Sequence, residues 1–344
     1  MENLPLNSPN FKSERRYCSV VGFALLIYSL ICLVLQTLGQ TLLLQFAPNF
    51  YDVPLVFFAA LLLPSYLIGT PLCALGMRFA PAEKIEKKRI KPSHFIIALF
   101  MCFTFMYAGN LIGTLVGSLA DSICGGQSGI AELLTNSSTI ANLIFVVILA
   151  PIVEELIFRK FIVDRMVRYG ELTAVLCSGL LFGLFHGNFY QFFYAALLGI
   201  FFAFIYVKTG RIRITMLLHA IVNFFGGVVA PAILELLGTD FESTWLEAIE
   251  ILGSAGNDFG VIEEVAEMIL PYIPGLFLFG VYEAFFMGCV VAGFVLLIVR
   301  RRRITFAKGR VDLEGNAFSV TWLNVGMLLF SVMCAVLFAL NLTA

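Results

Sequence analysis

Six polar residues lie inside three strongly hydrophobic segments of this 344-residue chain, and their types and spacing could support hydrolytic chemistry. Ionisable side chains at membrane depth cost about 2.5–3.5 kcal/mol each on insertion scales, so they usually mark a function. Two glutamates and an arginine share one segment, a histidine lies in the second, and a histidine and an asparagine share the third. The six are Glu154, Glu155, Arg159, His186, His219 and Asn223.

The spacing of these residues predicts different roles for the two glutamates. Residues four apart share a helix face, so Glu155 and Arg159 are placed to form an ion pair. Glu154 is rotated by about 100° from Glu155 and has no basic residue three or four positions away. An acid without such a partner must find another charge, stay protonated or act as a base. We therefore predict that Glu155 is structural and that Glu154 is reactive.

The other three residues supply the remaining parts of a hydrolytic site. Histidine transfers protons or binds metals near neutral pH, and the amide of Asn223 can donate to a developing oxyanion. A glutamate with one histidine could orient and deprotonate a water, while a second histidine with the asparagine could stabilise the tetrahedral intermediate of amide hydrolysis. Isolated intramembrane histidines and asparagines often only bridge helices. Six polar residues in three segments, with two pairs four apart, favour a site.

A metal centre stays an open alternative at this stage. The chain has no HExxH motif, and Glu154, His186 and His219 could hold zinc or could work without it. The eight cysteines are scattered through apolar segments without a CxxC pair, so they read as small buried hydrophobic residues.

The composition places the chain in the membrane class. Hydrophobic residues make up 60% of it, charged residues only 13%, and the mean hydropathy is +0.94. A soluble protein would carry about twice that charge. Nine apolar segments are long enough or nearly long enough to span a bilayer, which predicts an all-α, polytopic bundle of about eight to nine transmembrane helices. They cover residues 17–47, 53–79, 94–120, 139–163, 172–187, 189–207, 214–237, 271–299 and 320–342.

The fifth of these segments is short and ends at Gly187 and Asn188, so segments five and six could instead form a broken or re-entrant pair.

All 22 Lys and Arg fall at the ends of segments that share one side in a nine-span arrangement. The loops of the other side carry acids alone, including Asp52, Asp121 and Glu132. The positive-inside rule then predicts a cytoplasmic N-terminus. The basic clusters read as orientation signals, and we expect no nucleic-acid partner.

These segments suggest four regions. Residues 1–94 hold two spans and a basic loop, 95–237 hold the polar site, 238–270 form an acidic insert, and 271–344 hold the last spans. Apolar residues recur at helical spacing in the insert, as at Trp245 and Ile249, which predicts two interfacial or cap helices there.

The three motifs together resemble those of the CPBP intramembrane proteases, which include the CAAX prenyl endopeptidases and bacterial bacteriocin-processing proteins. The matching patterns are Glu154-Glu155-x-x-x-Arg159, Phe182-x-x-x-His186 and His219-x-x-x-Asn223. The resemblance covers roughly residues 95–237. It implies a helical fold with a conical cavity opening to the cytoplasm, with Glu154 activating water, His186 as its partner, and His219 and Asn223 at the oxyanion. Glu155 and Arg159 would support them.

The resulting expectation is an endopeptidase that cleaves membrane-associated or lipid-modified peptides near the cytoplasmic leaflet, surrounded by membrane lipids. The usual family label is metalloprotease, although zinc and a metal-free glutamate mechanism both fit this sequence. We expect an integral protein of the bacterial plasma membrane. The alternatives are a non-proteolytic immunity or scaffolding protein that retains the motif and, less consistent with the absence of repeated halves, a proton-coupled transporter.

Overall fold

The computed structural model describes residues 11–124, 138–238, 240–254, 259–313 and 315–343. These residues form helices and connecting segments, with no strand among them. The acidic segment with Glu132 lies outside the described residues. The helices are α1 Phe11–Phe46, α2 Pro54–Met77, α3 Pro92–Cys124, α4 Thr139–Tyr169, α5 Glu171–Phe185, α6 Phe189–Thr209, α7 Ile212–Glu235, α8 Phe241–Ser254, α9 Phe259–Ile269, α10 Ile273–Arg300, α11 Ala317–Thr321 and α12 Val325–Asn341.

Within these ranges, seven helical segments are long and apolar enough to cross a membrane: α1 to α4, α6, α7 and the continuous stretch Gly260–Arg303. Helices α5 and α12 are apolar but shorter. The predicted all-α, multi-pass membrane bundle is therefore confirmed. The predicted pair of helices in the acidic insert is also present, as α8 and α9.

Large apolar side chains cover the outside of the bundle, as expected for a protein surrounded by lipid. On α3, for example, Leu115 and Leu119 are 64% and 62% exposed. Small and aromatic residues fill the inside instead, including Gly109, Gly113 and Phe103 on the same helix. The helix thus separates a lipid-facing side from a packed side.

All the basic segments meet at one end of the bundle, which we call the basic end. Its members come from the start of α1, the loop after α2, the end of α4, the turn between α6 and α7, and the segment after α10. Four contacts join them: Glu14 with Arg168 (3.1 Å), Met77 O with Arg165 Nε (2.7 Å), Lys88 O with Arg211 Nε (2.7 Å) and Glu83 with Arg310 (2.7 Å). The opposite end, with Asp52 and Asp121, is called the acidic end.

Helices α5 and α6 form an antiparallel hairpin whose tip stops short of the acidic end. Glu171 at the start of α5 pairs with Lys208 near the end of α6, which fixes both helices at the basic end. Helix α5 has 15 residues, so it is about 22 Å long and shorter than the ~30 Å hydrocarbon core. The sequence left open a broken or re-entrant pair, and the structure contains this shortened hairpin.

The tip of the hairpin is set by two adjacent residues. Gly187 has a φ of 68°, a left-handed conformation that ends α5 and that a side chain would strain. Asn188 follows as the N-cap of α6, with its side-chain oxygen accepting from the backbone N–H of Gln191 at 2.8 Å. The chain therefore reverses within three residues, and His186 is held at the tip.

Glycines bring α3 against the hairpin. A Cβ at Gly109 would lie 2.2 Å from the Cα of Tyr194, and a Cβ at Gly113 would lie 2.6 Å from the carbonyl oxygen of Tyr190. Small residues four apart permit this close approach between membrane helices. Because Gly113 meets the start of α6, the last 11 residues of α3, about 16 Å, extend beyond the hairpin tip.

Helices α4 and α7 contain π-helical turns, a feature that is frequent at functional sites. In α4 the π-helical stretches Asn142–Leu149 and Leu156–Val163 flank a short α-helical stretch, Ala150–Glu155. In α7 the stretch Phe225–Val229 follows Asn223 closely. The polar residues of α4 and α7 thus lie on or beside irregular helix turns.

Candidate active site

The two neighbouring glutamates of α4 have different environments, as their spacing predicted. The side chain of Glu155 is fully buried, and its Oε2 lies 3.1 Å from Nε of Arg159, which is also fully buried. The side chain of Glu154 is 22% exposed and lines a cavity. The predicted pairing of Glu155 with Arg159 is present, and Glu154 is the glutamate that a substrate could reach.

Aromatic rings complete the surroundings of the arginine. The guanidinium carbon of Arg159 lies 4.7 Å from the ring centre of Phe182 and 5.4 Å from that of Phe202. A cation over an aromatic face is attracted by the ring quadrupole. Nη2 of Arg159 also donates to the carbonyl oxygen of Gly199, at 3.4 Å. These contacts hold the arginine, and through it Glu155, in one position.

His219 of α7 lies between the two glutamates. Its Nδ1 is 3.0 Å from Oε1 of Glu155, and its Nε2 is 3.6 Å from Oε2 of Glu154. The shorter contact has hydrogen-bond length, whereas the longer one does not. Since Nδ1–H donates to Glu155, the Nε2 atom is the one available on the side of Glu154. Glu155 therefore orients His219 as well as Arg159.

His186 is fixed by the backbone of its own helix. Its Nδ1 lies 2.8 Å from the carbonyl oxygen of Phe182, which can only accept, so Nδ1 carries the proton. In the neutral ring, Nε2 then has the free lone pair. The Phe182 ring lies between the two histidines, with centroids 4.9 Å from His186 and 5.7 Å from His219.

Asn223 lies one turn beyond His219 on α7 and is half-buried. Its Nδ2 donates to the carbonyl oxygen of Val146 at 2.9 Å, which leaves the second amide hydrogen for another acceptor. A second asparagine, Asn142, makes a related bond from α4 to the carbonyl oxygen of Gly227 on α7, also at 2.9 Å. The two asparagines together join these two helices.

A cavity of about 920 Å³ brings four of the six predicted residues together. Glu154, His186, His219 and Asn223 line it, whereas Glu155 and Arg159 lie behind its wall. Helix α2 adds an apolar wall with Phe58 and Leu62, and Tyr66 beside it. This space, called the central cavity below, has the size of a ligand site and the polar groups for chemistry.

The central cavity extends toward the acidic end of the bundle, which corrects our expectation of a cavity opening at the basic, cytoplasmic side. On α3, which begins at the basic end, its lining residues run from Met106 to Asp121. On α4, which begins at the acidic end, they run from Phe145 to Glu154, and on α7 from His219 to Gly227. On α3 and α4 the lining thus lies mainly in the part nearer the acidic end, and on α7 it lies around the middle of the helix.

Two structural features explain this direction. The short α5–α6 hairpin leaves space between its tip and the acidic end. On the basic side of Glu154, the fully buried side chains of Phe158, Arg159 and Phe202 fill the bundle. The depth of each residue could be estimated from its span, but the side on which space remains depends on the packing of neighbouring helices.

The depths themselves agree better than the sequence indicated. With the predicted segments 139–163 and 172–187, Glu154 would lie about 14 Å from the end of its segment and His186 about 21 Å from the start of its own. Helix α4 continues to Tyr169, so Glu154 lies 15 residues, about 22 Å, from the helix end. Both residues therefore reach the same level of the bundle.

Sequence reasoning missed a polar stripe on α3. Four lining residues of this helix follow one another at intervals of four, four and three: Asn110, Thr114, Ser118 and Asp121. Oδ2 of Asp121 accepts from the hydroxyl of Tyr190 at 2.6 Å. The signal was present in the sequence, because such spacing puts the four residues on one helix face.

The donor set does not meet the needs of a metal site. A catalytic zinc ion takes three protein ligands in addition to water. Among the residues that the structure describes, no group of three or more His, Cys, Asp or Glu could hold a metal ion. The fixed tautomers of the two histidines would suit metal ligands, but Glu154, His186 and His219 do not form such a group. We therefore derive no step through a metal.

Comparison with known proteins is consistent with this geometry. A family model described as "Type II CAAX prenyl endopeptidase Rce1-like" matches residues 136–225, which include all six predicted residues. The protein "Putative membrane peptidase YdiL" of Bacillus subtilis (strain 168) is 31% identical over 127 residues, covering 34% of this chain and 52% of that protein. The match thus spans about half the length of this relative. No solved structure matches the chain. Both matches support the resemblance seen in the motifs, because residues 136–225 are similar to the CAAX prenyl endopeptidase family model and the relative is described as a membrane peptidase.

Proposed function

We propose that this multi-pass membrane protein is an intramembrane endopeptidase that hydrolyses peptide bonds of membrane-associated or lipid-modified peptides. The observation that carries the proposal is the difference between the two glutamates. Glu155 is buried with Arg159 and His219, whereas Glu154 lines a cavity that also contains His186 and Asn223. A location in the bacterial plasma membrane is part of the proposal.

The reaction begins with a water molecule between Glu154 and His186. Glu154 takes a proton from this water as general base, and the neutral Nε2 of His186 accepts its second hydrogen and so orients it. The water oxygen then forms a bond to the carbonyl carbon of the peptide. General-base assistance of this kind contributes about 10²–10⁴-fold to a rate.

The negative charge that develops on the carbonyl oxygen needs donors. The second amide hydrogen of Asn223 and, in its protonated form, Nε2–H of His219 are the groups available for this role. Fixed donors aimed at a developing oxyanion are usually the largest single contribution to acyl-transfer catalysis. When the tetrahedral intermediate collapses, the C–N bond breaks and Glu154 returns its proton to the leaving amine.

The apolar wall of the central cavity supports the substrate class. Phe58, Leu62 and Phe145 line the same cavity as the polar stripe of α3. One side of an extended peptide, or an attached lipid chain, would contact the apolar wall while the peptide groups face polar side chains. Glu154 lines this cavity and has no basic residue three or four positions away on its own helix. A protein that only binds a partner would not need a carboxylate in such a place.

The test uses purified protein in liposomes and a mixture of quenched fluorogenic peptides, with and without a C-terminal prenylcysteine. Wild-type protein should cleave some of them, and Glu154→Gln should lower the rate by at least about 100-fold. Glu283→Gln is the matched control, because Glu283 is an acid of α10 that does not line the central cavity. Equal cleavage by wild type and Glu154→Gln would exclude the mechanism, and no cleavage by folded wild type would favour a scaffolding role.

A further inference from the structure

The position of the central cavity relative to the basic end has a consequence for where substrates come from. The cavity extends from Glu154 to Asp121, near the acidic end of α3. Toward the basic end, Arg159 and Phe202 are fully buried and block the same path. The described part of the bundle therefore offers Glu154 a path toward one end only.

The charges of the loops indicate which side of the membrane the acidic end faces. Basic segments of membrane proteins remain in the cytoplasm, because translocating Lys and Arg is unfavourable. The contacts of Glu14 with Arg168 and of Glu83 with Arg310 hold these segments together at the basic end. The acidic end, and the cavity that extends to it, therefore face away from the cytoplasm.

The cavity also has the dimensions of a peptide site. From Met106 to Asp121 the lining of α3 spans 16 residues, or about 22 Å along the helix axis. An extended peptide advances about 3.4 Å per residue, so about six residues fit along this length. The stripe of Asn110, Thr114 and Ser118 offers side-chain hydrogen-bonding groups along this path.

We propose that the active site receives its substrate from the extracytoplasmic side, and that its substrates are extracytoplasmic peptide segments next to a membrane anchor or lipid. The claim about substrates rests on the proposed peptidase function. The claim that the cavity faces away from the cytoplasm does not depend on that function. It predicts that cleavage sites that depend on Glu154 lie outside the cytoplasm, in contrast to a protease that processes cytoplasmic tails.

Thiol labelling in spheroplasts of a bacterial expression host tests the sidedness directly. Native Cys124 is exposed and lies at the acidic end of α3, whereas the other seven cysteines are buried. A membrane-impermeant maleimide should therefore label the wild type in intact spheroplasts and should not label Cys124→Ser. This variant then provides the background for two engineered cysteines on adjacent residues of α3.

Thr114 lines the central cavity, while its neighbour Leu115 is 64% exposed on the lipid-facing side. In intact spheroplasts we expect the maleimide to label Thr114→Cys at least about tenfold faster than Leu115→Cys, because maleimides react with thiolates in water. Lys87→Cys, in the basic loop after α2, should be labelled only after lysis. Ser118→Cys repeats the cavity measurement if Thr114→Cys fails to fold.

Several outcomes would overturn the proposal. They are labelling of the cavity cysteine only after lysis, labelling of Lys87→Cys in intact spheroplasts, and failure of both cavity cysteines to react on either side. Labelling needs no catalysis, so Glu154→Gln should behave like the wild type. If labelling is as expected but wild type cleaves nothing, the peptidase function is wrong and the sidedness stands. If purified protein cleaves peptides but labelling is reversed, the sidedness alone is wrong.

A second measurement tests the substrate class. Peptide ends in cells producing wild type or Glu154→Gln are mapped by proteomics of membranes and medium. Ends that depend on Glu154 should lie in extracytoplasmic segments of membrane-anchored or exported peptides. Glu154-dependent ends in cytoplasmic segments would contradict the proposal, and a complete absence of such ends would count against the peptidase function itself.

Discussion

Nδ1 of His219 lies 3.0 Å from Oε1 of Glu155, although 64 residues separate them in the chain. Glu155 therefore binds two cations or donors, Arg159 within its own helix and His219 from α7. One buried carboxylate links the ion pair that the sequence predicted to the histidine beside Glu154, the proposed general base. Changes to the supporting pair should consequently affect both stability and catalysis.

Arg159→Met should destabilise the protein strongly. The substitution leaves the buried Glu155 carboxylate without its ion-pair partner, and breaking a buried pair costs about 3–5 kcal/mol. We expect a clearly lower apparent melting temperature in detergent, followed by intrinsic fluorescence. Lys88→Met is the control, because Lys88 and its ion-pair partner Glu86 are both exposed; it should cost at most about 1 kcal/mol. Equal melting temperatures for the two variants would contradict the buried pair.

Asn223→Ala should lower kcat by about 10²–10³-fold, the usual loss when one oxyanion donor is removed. Asn142→Ala is a matched control. Asn142 donates from α4 to a backbone carbonyl of α7 and Asn223 donates from α7 to a backbone carbonyl of α4, both at 2.9 Å. Asn142 does not line the central cavity. A similar melting temperature for both variants, with activity lost in Asn223→Ala alone, is the expected result. If both variants lose activity to the same extent, Asn223 only bridges the two helices.

Gly109→Ala should separate α3 from α6. A Cβ there would lie 2.2 Å from the Cα of Tyr194, a backbone atom that cannot move aside without shifting the helix. Overpacking of this kind costs about 1–3 kcal/mol and should lower the apparent melting temperature. A Cβ at Gly288 meets nothing within 4 Å, so Gly288→Ala in α10 should be neutral or slightly stabilising. A neutral Gly109→Ala would show that the two helices are less closely packed.

Chelators should leave peptide cleavage by the purified protein unchanged. Glu154, His186 and His219 do not form a group of three donors that could hold a metal, and the proposed water activation uses Glu154 directly. Rates before and after prolonged dialysis against EDTA and phenanthroline should agree within about twofold, with elemental analysis of the dialysed protein as the control. Loss of activity that zinc restores would establish a metal requirement and replace this mechanism.

The sequence by itself determined the class of the fold and the identity of the candidate residues. Hydrophobic segments set the positions of the helices, because a segment inside the bilayer must hydrogen-bond its own backbone polar groups and a helix does so. Spacing four apart placed Glu155 with Arg159, since this relationship is local to one helix. The rotation of about 100° between adjacent residues already assigned Glu154 and Glu155 to different surroundings.

Only the tertiary structure decided how these helices combine. The contact of His219 with Glu155, the equal depth of Glu154 and His186, and the polar wall from Asn110 to Asp121 join helices that are distant in the chain. The direction of the central cavity also depends on the short α5–α6 hairpin and on the close approach of α3 at Gly109 and Gly113. Periodicity describes one helix at a time, whereas empty space is a property of several helices packed together, so it emerges only from their assembly.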